Sequence, residues 1–169
     1  QYDVPVVVTT TQDNDGEIKT ATTSFYDPAA YIQGYTLRPN TRWTSGDIKG
    51  YNEGDSVPFE VVLNRQQLGR DWVRIELAFD FIDYNRTVPT KGIDYLTQYW
   101  LDPPSAPFNI YTNSSAPFWV DPSQGTITSQ GRLPNEWQEG GKQLEQVWGF
   151  EFEFAPGARN AFIKFGAHM

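Results

Sequence analysis

The feature that most constrains this chain is an alternation running through residues 57–83. Phe59, Val61 and Leu63, then Val73, Ile75, Leu77, Phe79 and Phe81, fall on one face when every second residue is read. Glu60, Arg74, Glu76 and Asp80 stand between them. Such a period of two sends successive side chains to opposite faces of a strand, one toward a core and one toward water. The same code returns near the end, with Trp148, Phe150, Phe152 and Phe154 set against Glu151 and Glu153. The polar run 64–70, which carries Gly69, reads as the turn of a long antiparallel hairpin joining the two central strands. Faces of this kind build an all-β core. The expected fold is an antiparallel β-sandwich, jelly-roll or Ig-like, with long loops and little helix.

The rest of the chain is arranged around that stretch. Residues 2–10 are extended, with Tyr2, Val4, Val6 and Val8 on one face, and Pro5 confines them to an edge or an end because it has no amide to donate. Asp13-Asn14-Asp15-Gly16 is strong turn chemistry, and residues 18–26 can form a second strand, paired with the first or lying elsewhere. Asp27-Pro28 can open one helical turn. A strand is expected over 35–43, and short strands over 94–100, 108–111 and 118–120 within a segment broken by Pro103, Pro104, Pro107 and Pro117. Pro156-Gly157 is read as the turn of a hairpin into a last strand, 161–165. The expected organisation is an N-terminal strand, residues 1–12, followed by a single sandwich domain, residues 13–169.

Composition narrows function mainly by exclusion. A chain of 169 residues is long enough to bury a core without staples. With 21 Asp+Glu against 13 Lys+Arg, the net charge of -8 repels phosphate backbones, so nucleic acid is not an expected partner. There is no cysteine, which removes disulfides, thiolate metal sites and Cys nucleophiles. No apolar run reaches membrane-spanning length. The sequence starts at Gln1 without a signal peptide, as a processed secreted protein would. Aromatics at 15%, with 12 Pro and 14 Gly, favour a loop-rich extracellular protein at the cell surface.

Candidate chemistry is sparse. His168 is the single histidine and sits one residue from the end, so a His-rich metal site is excluded and a His-based triad is not expected. Glu151 and Glu153 lie roughly 7 Å apart along one strand, near the carboxylate spacing of retaining glycosidases. Their strand's other face is solid core, however, which places both on the solvated side. No catalytic residue is assigned, and the chain is read as a non-enzyme. Asp13, Asp15 and Glu17 around Gly16 resemble part of a calcium loop, although Thr11 and Thr22 would fill its ends poorly. Calcium is the one metal considered. Trp43, Tyr99, Trp100, Trp119 and Trp137 fall near predicted loops, where flat rings can stack on sugars or cap the ends of a sandwich. Asn85 and Asn113 match the N-glycosylation pattern.

Glu53-Gly54-Asp55-Ser56-Val57-Pro58-Phe59, then Gly92-Ile93-Asp94-Tyr95-Leu96-Thr97, and finally Gly166-Ala167-His168, resemble signatures of secreted bacterial surface proteins. The resemblance implies a cysteine-poor β-sandwich outside the cell without known catalysis, and it carries over no functional residue.

The function expected from all this is structural. The chain is read as the subunit of a pilus-like surface filament, a homopolymer of identical subunits assembled by donor-strand exchange. Tyr2, Val4, Val6 and Val8 would supply the donated face. The alternative is a carbohydrate-binding module or adhesin domain that meets cell-surface polysaccharide through the five aromatic residues.

Overall fold

A computed structural model describes residues 10–12, 18–20, 29–83, 90–133, 137–139 and 143–169. Two antiparallel five-stranded sheets dominate it, and a separate two-stranded sheet pairs β1 (Thr10–Gln12) with β2 (Ile18–Thr20). The second sheet in chain order, here the lower sheet, is built from β3 (Ala30–Thr36), β4 (Arg42–Thr44), β5 (Ser56–Asn64), β8 (Tyr95–Thr97) and β12 (Asn160–His168). Its strand order is β4-β3-β5-β12-β8. The upper sheet holds β6 (Trp72–Asp83), β7 (Thr90–Lys91), β9 (Gly125–Arg132), β10 (Trp137–Glu139) and β11 (Gln143–Phe154). There β11 is central, with β6 along one side and β9 and β10 end to end along the other.

The alternating residues face each other across the gap between the sheets. Val61, Leu63, Ile163 and Phe165 from the lower sheet meet Val73, Trp148, Phe150, Phe152 and Phe154 from the upper one in a single core cluster. Phe118 sits between the layers, its ring 4.8 Å from Phe150 and 5.3 Å from Phe165. The all-β sandwich inferred from the alternation is therefore the fold, and Glu151 and Glu153 stand on the outer face as expected.

The two predicted hairpins are a different matter. β5 and β6 lie in opposite sheets, so residues 64–71 carry the chain across the sandwich instead of turning it back. α1 (Arg65–Leu68) does this in one turn: the Asn64 side chain accepts from the Gln67 amide at 3.0 Å, and Gly69 ends the turn at φ 66°. β11 and β12 also lie in opposite sheets, so the Pro156-Gly157 turn is a second crossing at the same end. A two-residue hairpin reverses within the roughly 4.8 Å between paired strands, whereas these connections bridge the roughly 10 Å between stacked sheets. The alternating pattern is identical in both cases, because it encodes which face is buried and not which strand lies alongside.

Smaller differences follow from proline and from length. The expected strand over 35–43 is instead a hairpin of β3 and β4. Residues 108–110 form a 3-10 turn, and 118–120 contribute a single bridge between Trp119 and Lys164. The possible helical turn at Asp27-Pro28 lies outside the described residues.

Candidate functional site

Outer-face residues of an antiparallel sheet are normally wet, yet the lower sheet buries Glu60, Val62 and Lys164 on its outer side. The proline-rich segment 98–119 reaches this side of the sheet, where Asp102 contacts Lys164 and residues 108–110 approach β5. Tyr99 is fully buried and its hydroxyl accepts from the Ser105 amide at 2.9 Å; Phe108 packs on Tyr51 at 5.1 Å between ring centres. Tyr51 in turn donates to the Tyr35 carbonyl at 2.7 Å. Burial raises the pKa of both the Tyr51 and Tyr99 hydroxyls, which keeps them neutral donors. Tyr35, Tyr51, Tyr99 and Phe108 thus form a small second apolar layer outside the main core.

Within that layer runs a polar row. Gln33 on β3, Glu60 on β5, Lys164 on β12 and Trp119 are successive register partners across four adjacent strands or segments. Cross-strand partners share a face, with Cβ atoms about 5 Å apart. Gln33 donates through Nε2 to Glu60 Oε1, while Glu60 Oε2 is buried without a hydrogen-bond partner. Lys164 Nζ contacts Asp102 Oδ2 at 2.8 Å; the lysine side chain is 6% exposed and the aspartate 59%. Trp43 Nε1 reaches Asp102 Oδ1 at 3.5 Å. Desolvation raises the pKa of the Glu60 carboxyl, opposed by the Gln33 hydrogen bond and the Lys164 charge.

The aromatic residues picked from the sequence divide over the molecule. Trp43 is half-buried against Tyr35 beside Asp102, and Trp100 is 49% exposed with its ring edge-on to Tyr111. Trp119 is half-buried in register with Lys164. Tyr99 belongs to the same group but, being fully buried, has no free ring face to offer a sugar. Trp137 lies on β10 in the upper sheet and not on a loop, so it does not join the others. Alternation gave no hint of Glu60 and Lys164, because both occupy positions that the pattern assigns to water. The signal for them was indirect: a proline-rich aromatic segment needs a surface to cover.

A second feature is an open edge. β6 pairs with β11 along its length, but on its other side only Ile82 and Asp83 are paired, with Lys91 and Thr90, among the described residues. The core thins in the same direction, since Ile75, Leu77 and Phe79 are only half-buried while their register partners on β11, Phe150, Trp148 and Gln146, are buried. A groove of about 720 Å³ follows, lined by Ala78 and Phe79 of β6 and by Tyr51, Glu53, Ile93 and Met169. The three segments that carry the surface-protein resemblance meet at this groove. The Gly54 amide donates to the Met169 carbonyl at 2.8 Å, Asp94 N–H to the His168 carbonyl at 2.8 Å, and β8 lies beside the end of β12. His168 stacks on Tyr95 with ring centres 4.3 Å apart.

Tyr2, Val4, Val6 and Val8, the calcium candidates Asp13, Asp15 and Glu17, and Asn85 lie outside the described residues. Asn113 bridges Thr97. Among the described residues no cluster of acidic or histidine side chains is arranged to hold a metal, and no helix is long and apolar enough to cross a membrane. The fold defines the chain as an all-β sandwich protein. No described family, curated protein or solved structure matches it.

Proposed function

We propose that this chain is an extracellular structural subunit that assembles with copies of itself by strand addition, the N-terminal segment of one copy pairing with the open edge of β6 in the next. The observation that carries this reading is that edge: ten residues, 72–81, without a partner strand among the described residues, over a core left half-covered beside it. An exposed edge is a template for another strand. Residues 1–9 match it in length, since a strand rises about 3.3 Å per residue. They also match it in chemistry, because Tyr2, Val4, Val6 and Val8 present one apolar face to the gap left beside Ile75, Leu77 and Phe79. Pro5 is compatible with a strand whose far side stays unpaired. Passed from copy to copy, the contact is heterologous and does not close, so it generates a filament.

Removal of residues 1–9 tests the reading. The truncated protein is expected to remain a dispersed, less stable monomer in electron micrographs of material in which the full chain forms fibres. A synthetic peptide of residues 1–10 is expected to restore its stability. Fibres from the truncated chain, or a concentration-independent monomer from the intact one, would overturn it. The second reading, a carbohydrate-binding module, draws on the exposure of Trp100, two residues before the Asp102 that Trp43 Nε1 reaches. Dispersed monomers that are retained on polysaccharide, with retention lost in Trp100→Ala, would favour it over assembly.

A further inference from the structure

We propose that Lys164 and Asp102 are joined by an intramolecular amide bond, formed by the folded chain itself with Glu60 as the proton relay. The geometry is that of two reactants already brought together. Lys164 Nζ lies 2.8 Å from Asp102 Oδ2, on a side chain that is 6% exposed. Holding an amine and a carboxyl in contact replaces a bimolecular encounter by one of very high effective concentration, about 10⁵ M or more in well-oriented cases. Glu60 is the in-register neighbour of Lys164 on the adjacent strand, itself only 2% exposed, with one carboxyl oxygen lacking a partner.

The charges of the cluster point the same way. With all three groups ionised, one ammonium stands against two carboxylates, with Lys164 and Glu60 buried and Asp102 on the solvent side. A buried ammonium is costly to hold away from water, and condensation removes it. Proton transfer from the Lys164 ammonium to the Asp102 carboxylate gives the amine and the acid that condense. Nζ then attacks Asp102 Cγ. Glu60, held protonated more readily than an exposed carboxyl by its burial, donates its proton toward the departing hydroxyl and takes one back from Nζ as the C–N bond forms. The balance is one ammonium plus one carboxylate giving one amide plus one water, with no oxidant or cofactor and no change in Glu60. Asp102 is open to solvent on its outer side, which lets the water leave. The product ties β12 covalently to the segment 98–119.

The inference is independent of filament assembly and is tested on the isolated full-length chain. The intact mass is expected to fall short of the sequence mass by about 18 Da, one water. Proteolytic mapping is expected to yield a branched peptide in which Lys164 resists trypsin and is linked to Asp102. Mapping is essential, because cyclisation of Gln1 removes ammonia, about 17 Da, and a succinimide at Asp15-Gly16 would also remove one water. Lys164→Ala and Asp102→Ala should each restore the missing water, and Glu60→Gln should leave most of the chain uncrosslinked with its far-ultraviolet circular dichroism unchanged. The wild-type measurement stands even where a variant fails to fold. Separate, unmodified Lys164 and Asp102 peptides from the folded wild-type protein would overturn the proposal and leave an ordinary buried ion pair.

Discussion

Arg65 is expected to hold the two sheet-to-sheet crossings together, and its replacement by alanine tests how the sandwich is closed at that end. Its guanidinium donates through Nη1 to the carbonyls of Ala155 and Ala158, at 3.3 and 3.2 Å, and through Nε to Asp71 at 2.7 Å. Its backbone amide also donates to the Arg159 carbonyl at 2.9 Å. The same guanidinium lies 5.9 Å from the centre of the Phe154 ring. One side chain therefore links the crossing after β5 to the crossing after β11. The ion pair with Asp71 contributes little, about 0.5 kcal/mol, because the aspartate is 67% exposed and water screens it. The two carbonyl bonds are long, and each contributes about 0.7 kcal/mol. The ring contact at a partly exposed site adds about 0.5 kcal/mol. Arg65→Ala should therefore cost about 2.5 kcal/mol, or a fall in Tm of about 7 °C for a chain of this size. Asp71→Asn should cost about 0.5 kcal/mol, since it removes only the screened pair. Arg65→Lys should resemble Arg65→Ala more than the wild type, because an ammonium cannot reproduce the planar fork. Urea unfolding followed by tryptophan fluorescence measures all three. A loss below about 0.5 kcal/mol for Arg65→Ala, or equal losses for Arg65→Ala and Asp71→Asn, would refute the reasoning.

Two further expectations concern the core and the polar row. Phe150 is 1% exposed against Phe118, so Phe150→Ala should destabilise by about 4 kcal/mol in the same unfolding assay, and a cost below about 2 would mean that the sheets do not close over it. For Glu60 the sign follows from its raised carboxyl pKa. The folded state holds the proton to higher pH than the unfolded chain, so this group's contribution is fully present below the ordinary value near 4.5 and is lost as pH rises through the folded value. Stability in that window should decline with pH less steeply in Glu60→Gln than in the wild type; identical slopes would show that Glu60 is not desolvated as the structure has it.

Which face of each long strand meets the core was written in the sequence: Phe59 to Leu63, Val73 to Phe79 and Trp148 to Phe154 each carry a period of two, and a strand with that period has to place one face on a core. The sandwich class followed directly, and so did the outward position of Glu151 and Glu153. Pairing was not legible. Alternation fixes the face of a strand but not its neighbour, so a crossing between sheets and a hairpin within one sheet present the same pattern on either side of a polar turn. Asn64 and Gly69 did carry a cap and a left-handed stop, a weak sign of the helical turn that makes the first crossing. The polar row lay beyond any local reading. Glu60 sits where alternation predicts water, and its burial beside Gln33 and the approach of Asp102 to Lys164 come from segments far away in the chain. The open edge of β6 is likewise a property of the assembled sheet, because a strand's own residues do not say whether anything lies alongside it. Which face of a strand turns to the main core is a local property of side-chain chemistry repeated along it, and the sequence by itself determined it. Adjacency comes from chain closure over long separations, and only the tertiary structure decided it.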